Sequence, residues 1–336
     1  TRVRSSAASD VYKRQAQGVQ VAKRLAATAD VLIENFSAEA MTRLGLGYED
    51  LQPLNARLIY LSMSGYGHTG PRRDWTSMNL NLQAYSGLMM TTGRESDPPM
   101  TIVASWNDYI GALHGCVAVL GALTERAATG LGANLDLAQF ECSVASLGAL
   151  LLAGGVNKSA PQRLGNRSAE AAPQGCYRCA GKDEWCAISV QNDDQWQALV
   201  AAIPEAPELR QARFACLQGR LASHDEIDEL IEGWAVERSN AQVEACLKSA
   251  GVPAERMRRT QDVLDEAECG QMFQTIEDPP GGQLRVSKLP VRFSRSSVAE
   301  PAASPRIGQD TAAILQDWLG FGAHEVQALE TDGALV

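Results

Sequence analysis

Apolar positions along the chain alternate between a helical period and a strand period, and from Ala16 onward the alternation is regular. The stretch "VQVAKRLAATADVLIENF" predicts a helix, a short turn and a buried strand, Val31-Leu32-Ile33, that closes on Glu34, Asn35 and Phe36. "SAEAMTRLGLGYEDL" predicts a second helix, with Ser37 as its N-cap and Glu39 in its first turn. "ARLIYLSMSGYG" is the next strand and runs into a loop ending at Gly70-Pro71. Helix, strand, helix and strand at this spacing predict a parallel α/β sheet. Ligands on such sheets bind beyond the carboxyl ends of the strands, here "ENF" and "SGYGHTGP".

Downstream, "MNLNLQAYSGLMMTTG" reads as a helix with a glycine stop. "WNDYIGALHGCVAVLGALTERAATG" reads as a long one, capped by Asn107 or Asp108 and ended by Gly130. Gly111, Gly115, Ala118 and Ala122 give that helix a flat face for close helix contact, and His114 reads as a satisfied core histidine. In "GANLDLAQFECSVASLGALLLAGG", Phe140, Val144, Leu147 and Leu151 form the apolar stripe of one helix. Glu141, Ala145, Gly148 and Leu152 line the adjacent face, nearly bare of bulk. A carboxylate in the first turn of a helix is favoured by free backbone N–H groups, so Glu141 taken alone reads as ordinary helix chemistry. The small residues beside it leave room for a second molecule to approach an ionised oxygen nucleophile. Residues 154–173 have the Gly, Ser, Ala and Pro content of a segment crossing between domains. After it come a β-hairpin in "GCYRCAGKDEWCAISV", acidic helices through "HDEIDELIEGWA" and "NAQVEACLKSA", short strands in "GGQLRVSKLPVRFS" and two terminal helices.

Bulk properties narrow the function. A chain of 336 residues, 45% hydrophobic, can bury a sizeable core in two domains. A formal net charge of −10 argues against a general nucleic-acid or anionic-membrane binder, while leaving room for an anionic small ligand held by a few arginines. No apolar run has the length of a membrane span and no secretory signal pattern is present, so the expected location is the cytoplasm. The eight cysteines are scattered, and only Cys176 and Cys179 stand close, with Cys186 near and no histidine at finger spacing. The expectation is no metal, and buried or strand-borne thiols in a reducing compartment. Within residues 1–15, "SSAASDVYKRQ" looks like one reading frame of a sequencing adapter and is expected to be a read-through artefact rather than part of the fold.

Several segments, in order and at matching spacing, resemble the class III CoA-transferases, the formyl-CoA transferase-like CaiB/BaiF family that also contains 2-methylacyl-CoA racemases. They are "ADVLIENFSAEAMTRLGLGYEDLQPLNARLIYLSMSGYGHTGP", "LQAYSGLMMTTG", "RAATGLGANLDLAQFE", "RLGNR", "APQGCYRCAGKDEW" and "GQDT". The resemblance implies an α/β fold with a Rossmann-like parallel-sheet large domain and a smaller α+β domain, in an interlocked homodimer. On this chain it implies a large CoA-binding domain over 16–153, a crossing linker over 154–173, a small domain over 174–295 and C-terminal helices over 296–336 that return to the large domain. Family members begin with a further βαβ portion, so Asp30 onward matches a point well inside their large domain.

In the family, an acid five residues after the acid of a G-x-x-x-D strand attacks an acyl-CoA thioester. Counting from Asp136 lands on Glu141, where the best-known members carry aspartate. The implied activity is CoA transfer between an acyl-CoA and a free carboxylic acid, with coenzyme A as a substrate and no ATP or metal. The CoA-binding residues carried over are Asn35, Phe36, Ala40, Arg43 and Leu44. Arg43 suits a phosphate or is a solvated helix charge, and Phe36 is either a ligand wall or core. Arg72, Arg73, Arg163 and Arg167 add positive potential or take part in surface salt bridges, with the second reading preferred. Racemases use a titrating histidine where this chain has Met78, and formyl-CoA transferases have Tyr-Glu where it has Met78-Asn79. Racemisation and the oxalate/formate pair are therefore disfavoured. Trp75, Met78, Met89 and Met90 suggest a roomier apolar acyl pocket, or plain core in the case of the methionines. Three readings stand against transfer: a racemase, a non-catalytic CoA-binding relative, and an interaction module.

Overall fold

The computed structural model describes residues 16–94, 96–102, 105–158, 163–278, 281–297 and 301–335, with nothing said of the side chains of 267, 268 and 278. The adapter-like string and part of the 154–173 segment lie outside these residues. The chain divides into two compact units. The first comprises residues 1–92, 97–163 and 305–336, and the second residues 93–96 and 164–304.

The first unit is built on a parallel sheet of β1 (Val31–Glu34), β2 (Ile59–Ser62) and β3 (Ala133–Asp136), in that spatial order. β2 is buried at all four positions, as a central parallel strand covered on both faces must be, whereas β1 and β3 are only partly covered. Helix α1 (Ala16–Thr28) precedes β1, and the short helices α2 (Ala40–Arg43) and α3 (Tyr48–Leu51) connect β1 to β2. Ala26, Leu46, Leu51, Leu58 and Tyr60 close the core between them. Helices α4 (Asn79–Ser86), α5 (Leu88–Thr91) and α6 (Trp106–Thr129) lead to β3, and α7 (Gln139–Ser146) and α8 (Gly148–Asn157) follow it. Arg126 of α6, 9% exposed, donates to the carbonyls of Asp30 and Arg57 and to the Asp30 carboxylate at 2.8–3.2 Å, tying α6 to the starts of β1 and β2. The fully buried Gln83 amide makes four hydrogen bonds, to Asn79, Thr101 and both backbone groups of Ile102. The glutamine of the "LQAYSG" segment is thereby a brace for the segment that leads into α6.

Several local expectations change on contact with the fold. α2 begins at Ala40 behind Glu39, whose φ is 63°, so Ser37 is not its N-cap. α6 begins behind Ser105, with φ 53°, and Asn107 is instead fully buried inside the first turn. Added Cβ atoms at Gly111 and Gly115 would stand 3.1–3.6 Å from the side chains of Leu61, Met63 and Gln139, so these glycines seat α6 on α7, a close helix contact, and also on the sheet. His114 is exposed and its Nδ1 meets the Ile110 carbonyl. The apolar helix after Asp136 breaks at Leu147 into α7 and α8, which are bent by 64°. No single helix among the described residues is long and apolar enough to cross a membrane.

In the second unit β4 (Gln174–Arg178) and β5 (Trp185–Ser189) form the expected antiparallel hairpin, and β6 (Ala254–Arg256) joins β5. Helices α9 (Asp193–Ala202), α10 (Leu217–Ala222), α11 (His224–Ala235) and α12 (Asn240–Ser249) complete one core with these strands, and Trp196, Phe214, Ile227, Ile231 and Leu247 lie inside it. Ile227, Ile231, Trp234 and Ala235 carry the helical period of α11, and each large side chain so buried stabilises by roughly 1.5–3 kcal/mol. A separate hairpin pairs β7 (Phe273–Asp278) with β8 (Gly282–Ser287), which is the one strand formed within "GGQLRVSKLPVRFS". The C-terminal helices, α13 (Thr311–Ala313) with its π-turn Ile314–Trp318, and α14 (Ala323–Thr331), lie in the first unit, where Leu315, Leu319 and Val326 pack with Val21 of α1.

His224 makes the stability of the second unit depend on pH. Its ring is 6% exposed, and Nε2 accepts the Gln174 N–H at 3.2 Å, which requires the neutral form. Burial pushes its pKa below the ordinary 6.5, against the opposing pull of Asp228 and Asp225 and with the help of Arg167. Between the lowered value and 6.5 the unfolded chain binds more protons than the folded one. The contribution is complete above pH 6.5 and is lost as the pH falls through the lowered value. The urea midpoint of this unit should drop from pH 7.5 to pH 5.5, and His224→Gln should flatten that drop. A slope equal in both proteins would contradict the assignment.

Candidate active site

The three parallel strands deliver Glu34, Ser62 and Asp136 to one edge of the sheet. The loop after β2 lies across that edge and is held from both sides. The His68 N–H donates to both oxygens of Asp136, at 3.0 and 3.1 Å. On the other side, the Glu34 carboxylate is almost fully buried, with Oε2 accepting the Phe36 N–H at 2.7 Å and Oε1 3.4 Å from His68 Nε2. Gly67, with φ 80°, turns the loop beside Ala138, where a Cβ added at Gly67 would stand 3.3 Å from the Ala138 Cβ, a backbone conformation and an approach that side-chain-bearing residues resist.

α7 is hung from the same loop. The N–H groups of Leu137, Gln139 and Phe140 donate to the carbonyls of Ser62, Ser64 and Gly65 at 2.9–3.1 Å. Glu141, in the first turn, is exposed and lines two cavities, of about 290 and 480 Å³. The smaller is walled by Tyr66, Thr69, Arg72, Tyr85, Asp136 and Phe140, and the larger includes His114, Ala118 and Ala145. A third cavity of about 340 Å³ shares Thr69 and Asp136 with the first and reaches Met41 and Thr42 of α2. Neighbouring Cys142 is buried, and burial, reinforced by Glu141, pushes its thiol pKa up, so it stays protonated beside the carboxylate. Burial, with Glu34 and Asp50 nearby, likewise keeps the Tyr60 phenol protonated.

This arrangement places an exposed carboxylate at the ligand-binding edge of a parallel sheet, on a helix start braced by a glycine loop. Residues 5–311 match the sequence profile of CoA-transferase family III. The chain belongs to CoA-transferase family III. It is an enzyme of the class III CoA-transferase type, with the α/β fold of the CaiB/BaiF proteins. It is 32% identical over 296 residues to the acetyl-CoA:oxalate CoA-transferase of Acetobacter aceti, covering 86% of this chain and 74% of that one. It is 28% identical over 319 residues to the succinyl-CoA–D-citramalate CoA-transferase of Chloroflexus aurantiacus, covering 94% and 79%. The crystal structure of a CaiB/BaiF family protein from Brucella suis superposes with a TM-score of 0.82 at 29% identity, covering 91% of this chain and 79% of that one.

Within this CoA-transferase, the sequence-predicted residues fall into two groups. Asn35 and Phe36 follow the carboxyl end of β1 and are exposed, while Ala40, Arg43 and Leu44 sit on or at the end of α2. Arg43 is exposed and makes no ion pair among the described residues; Leu44 is half-buried against the Leu51 core. None of the five lines the three cavities that meet at Asp136, although Met41 and Thr42 of the same helix do. Glu141 forms the second group alone. Met78 stands at the start of α4, 70% exposed, and Trp75 and Met90 are also more than half exposed. Among the four arginines assigned to surface pairing, Arg73 pairs with Glu39 and Asp74, and Arg167 with Asp225 and Asp228. Arg163 donates to the Asp97 carbonyl. Arg72 departs from that expectation and joins the cavity beside Glu141. Sequence reasoning missed Tyr66, His68, Tyr85 and Phe140 as parts of the site; the position of "SGYGHTGP" after a central strand was the available signal.

Proposed function

We propose that the protein moves CoA from an acyl-CoA thioester to a free carboxylic acid through covalent intermediates on Glu141. The observation that carries this reading is the exposed Glu141 carboxylate at the junction of two cavities on the strand-end edge of the sheet. An Oε of Glu141 attacks the thioester carbonyl, the C–S bond breaks, and CoA leaves as thiolate from a mixed acyl–glutamyl anhydride. The thiolate then attacks the glutamyl carbonyl, which expels the donor acid as its carboxylate and forms a glutamyl-CoA thioester. The acceptor carboxylate attacks that carbonyl and releases the thiolate again. Attack of the thiolate on the acceptor acyl carbon restores free Glu141 and yields the new acyl-CoA. No net proton or electron is gained or lost.

Asn35, Phe36, Ala40, Arg43 and Leu44 are proposed to hold CoA, with the exposed Arg43 on a phosphate. In support, α2 borders the cavity that shares Thr69 and Asp136 with the Glu141 cavity. The interlocked homodimer of the resembling family is proposed here too. Leu151, Leu152 and Val156 of α8 and Leu113, Val117 and Leu120 of α6 are each more than half exposed, an apolar surface that a second copy would cover. Cytoplasmic location accords with the charge and with CoA chemistry.

The test is to incubate the full chain with several acyl-CoAs, trap with hydroxylamine or borohydride, and map the modified peptide. Label on Glu141 with acyl transfer is the expected result. Exchange of the α-hydrogen without acyl movement would favour racemisation instead, and CoA binding with neither would mark a non-catalytic relative.

A further inference from the structure

Arg72 stands in the Glu141 cavity without an acidic partner among the described residues, while Arg73, one residue on, pairs with Glu39 and Asp74. Its guanidinium carbon lies 4.1 Å from the ring centroid of Tyr85 and 4.7 Å from that of Trp75. Tyr66 packs edge-on against both rings, at 5.7 and 6.1 Å, and Tyr85 meets Phe140 at 5.1 Å. Phe140 is the residue before Glu141, so one aromatic cluster orients the arginine and borders the carboxylate. The backbone supports the same posture: Gly70, at φ 81°, and Pro71 turn the chain, and the Trp75 N–H closes on the Arg72 carbonyl at 2.9 Å.

Ring stacking uses the flat faces of a guanidinium, whereas its hydrogen bonds lie in its plane. The edge of Arg72 is therefore still available. Its Nε is buried and has no hydrogen-bond partner, so the edge left for a ligand in the cavity is that of the two terminal nitrogens. The same cavity holds two acids, Asp136, whose oxygens share the His68 N–H, and Glu141, which is assigned to the chemistry; among the described residues neither forms an ion pair with Arg72. At about 290 Å³ the space suits a short acid and excludes the adenosine and phosphate portion of CoA.

We propose that Arg72 selects the substrate by receiving a second carboxylate, on the acyl group or on the acceptor acid, while the first carboxyl group reacts at Glu141. The proposal rests on the CoA-transfer reading and adds to it the substrate class, short dicarboxylic acids. A monocarboxylic acid of equal length places an apolar end against a cation. A charge-assisted hydrogen-bond pair on a partly exposed arginine should discriminate by about 10- to 100-fold.

The experiment compares succinate with butyrate as acceptors, at one fixed acyl-CoA donor, in the full chain and in Arg72→Met and Arg72→Lys. The wild-type protein should favour succinate in kcat/KM. Arg72→Met should lower the succinate-to-butyrate ratio about 10- to 100-fold, chiefly through the KM for succinate, and Arg72→Lys should restore part of it. Melting temperatures of the three proteins separate this from misfolding, since a folded lysine variant alone reads the charge. Equal use of the two acids by the wild-type protein, or an unchanged ratio in both variants, overturns the role of Arg72 and leaves CoA transfer standing. Weaker binding of free CoA in Arg72→Met, with the ratio unchanged, assigns the arginine to a phosphate and also overturns it. Absence of transfer with any acid, together with no label on Glu141, removes the underlying reading instead.

Discussion

Glu141→Gln is expected to lower CoA transfer by roughly ten-thousand-fold or more while leaving the fold intact. Glutamine keeps the shape of the side chain and an acceptor oxygen but removes the ionised nucleophile, so no anhydride can form. The Glu141 side chain is exposed and makes no hydrogen bond or ion pair among the described residues, so its replacement should change stability by no more than about 0.5 kcal/mol. The adjacent Cys142 offers no substitute nucleophile, because burial holds its thiol protonated. Glu141→Asp preserves the carboxylate and withdraws it by one methylene. It should retain measurable transfer, reduced by about 100-fold or less for the misplacement. Chromatography of the CoA esters gives the rates, and intact mass after an acyl-CoA pulse reads the covalent adduct. Wild-type turnover in the glutamine variant would remove the mechanism proposed for this site, and equal loss in both variants would point to a structural charge.

The sheet could be read from the sequence because its central strand announces itself. Ile59, Tyr60 and Leu61 are buried on both faces, and a continuous apolar run between turn signals has few other uses. With the strands placed, "ENF" and "SGYGHTGP" follow as the ligand edge without any coordinates, whereas the choice of Glu141 rests on the family resemblance, which counts five residues on from Asp136. The helix caps did not follow. Ser37 and Asn107 satisfy the local rule, but the chain enters α2 and α6 through left-handed residues, Glu39 and Ser105, and Asn107 is drawn into the packing of α6, where its N–H meets the Asn79 side chain at 3.3 Å. Nor did the continuous helix after Asp136. Leu150, Leu151 and Leu152 have the composition of buried residues, yet they are 40–70% exposed in one chain, since composition measures the wish for cover and not what provides it. The surroundings of Arg72 were illegible for a different reason. Tyr66, Trp75, Tyr85 and Phe140 come from separate segments and form a cluster only after the sheet has folded.

Arg220 gives the largest expected loss of stability, and nothing in its sequence neighbourhood distinguishes it from a surface charge. Its side chain is 1% exposed within the second unit. Nε donates to the Ala172 carbonyl at 2.7 Å, Nη1 to the Phe214 carbonyl at 3.2 Å and Nη2 to the Asp193 carboxylate at 2.8 Å, with the guanidinium 5.4 Å from the Trp196 ring centroid. One residue thus joins the buried Ala171–Ala172 segment, the Phe214 turn, α9 and α10. Arg220→Met fills similar volume but strips two carbonyls of their donors, and should cost about 3–5 kcal/mol. Asp193→Asn is the contrast. That carboxylate is 61% exposed, its amide replacement still accepts a hydrogen bond, and the expected cost is about 1 kcal/mol or less. Urea unfolding followed by hydrogen exchange at α9 and α10 measures both variants on the unit concerned. Similar small costs for the two would mean that the carbonyls find water when the arginine is gone. A large cost for Arg220→Met alone means that the buried end of the pair, rather than its visible salt bridge, holds these elements together.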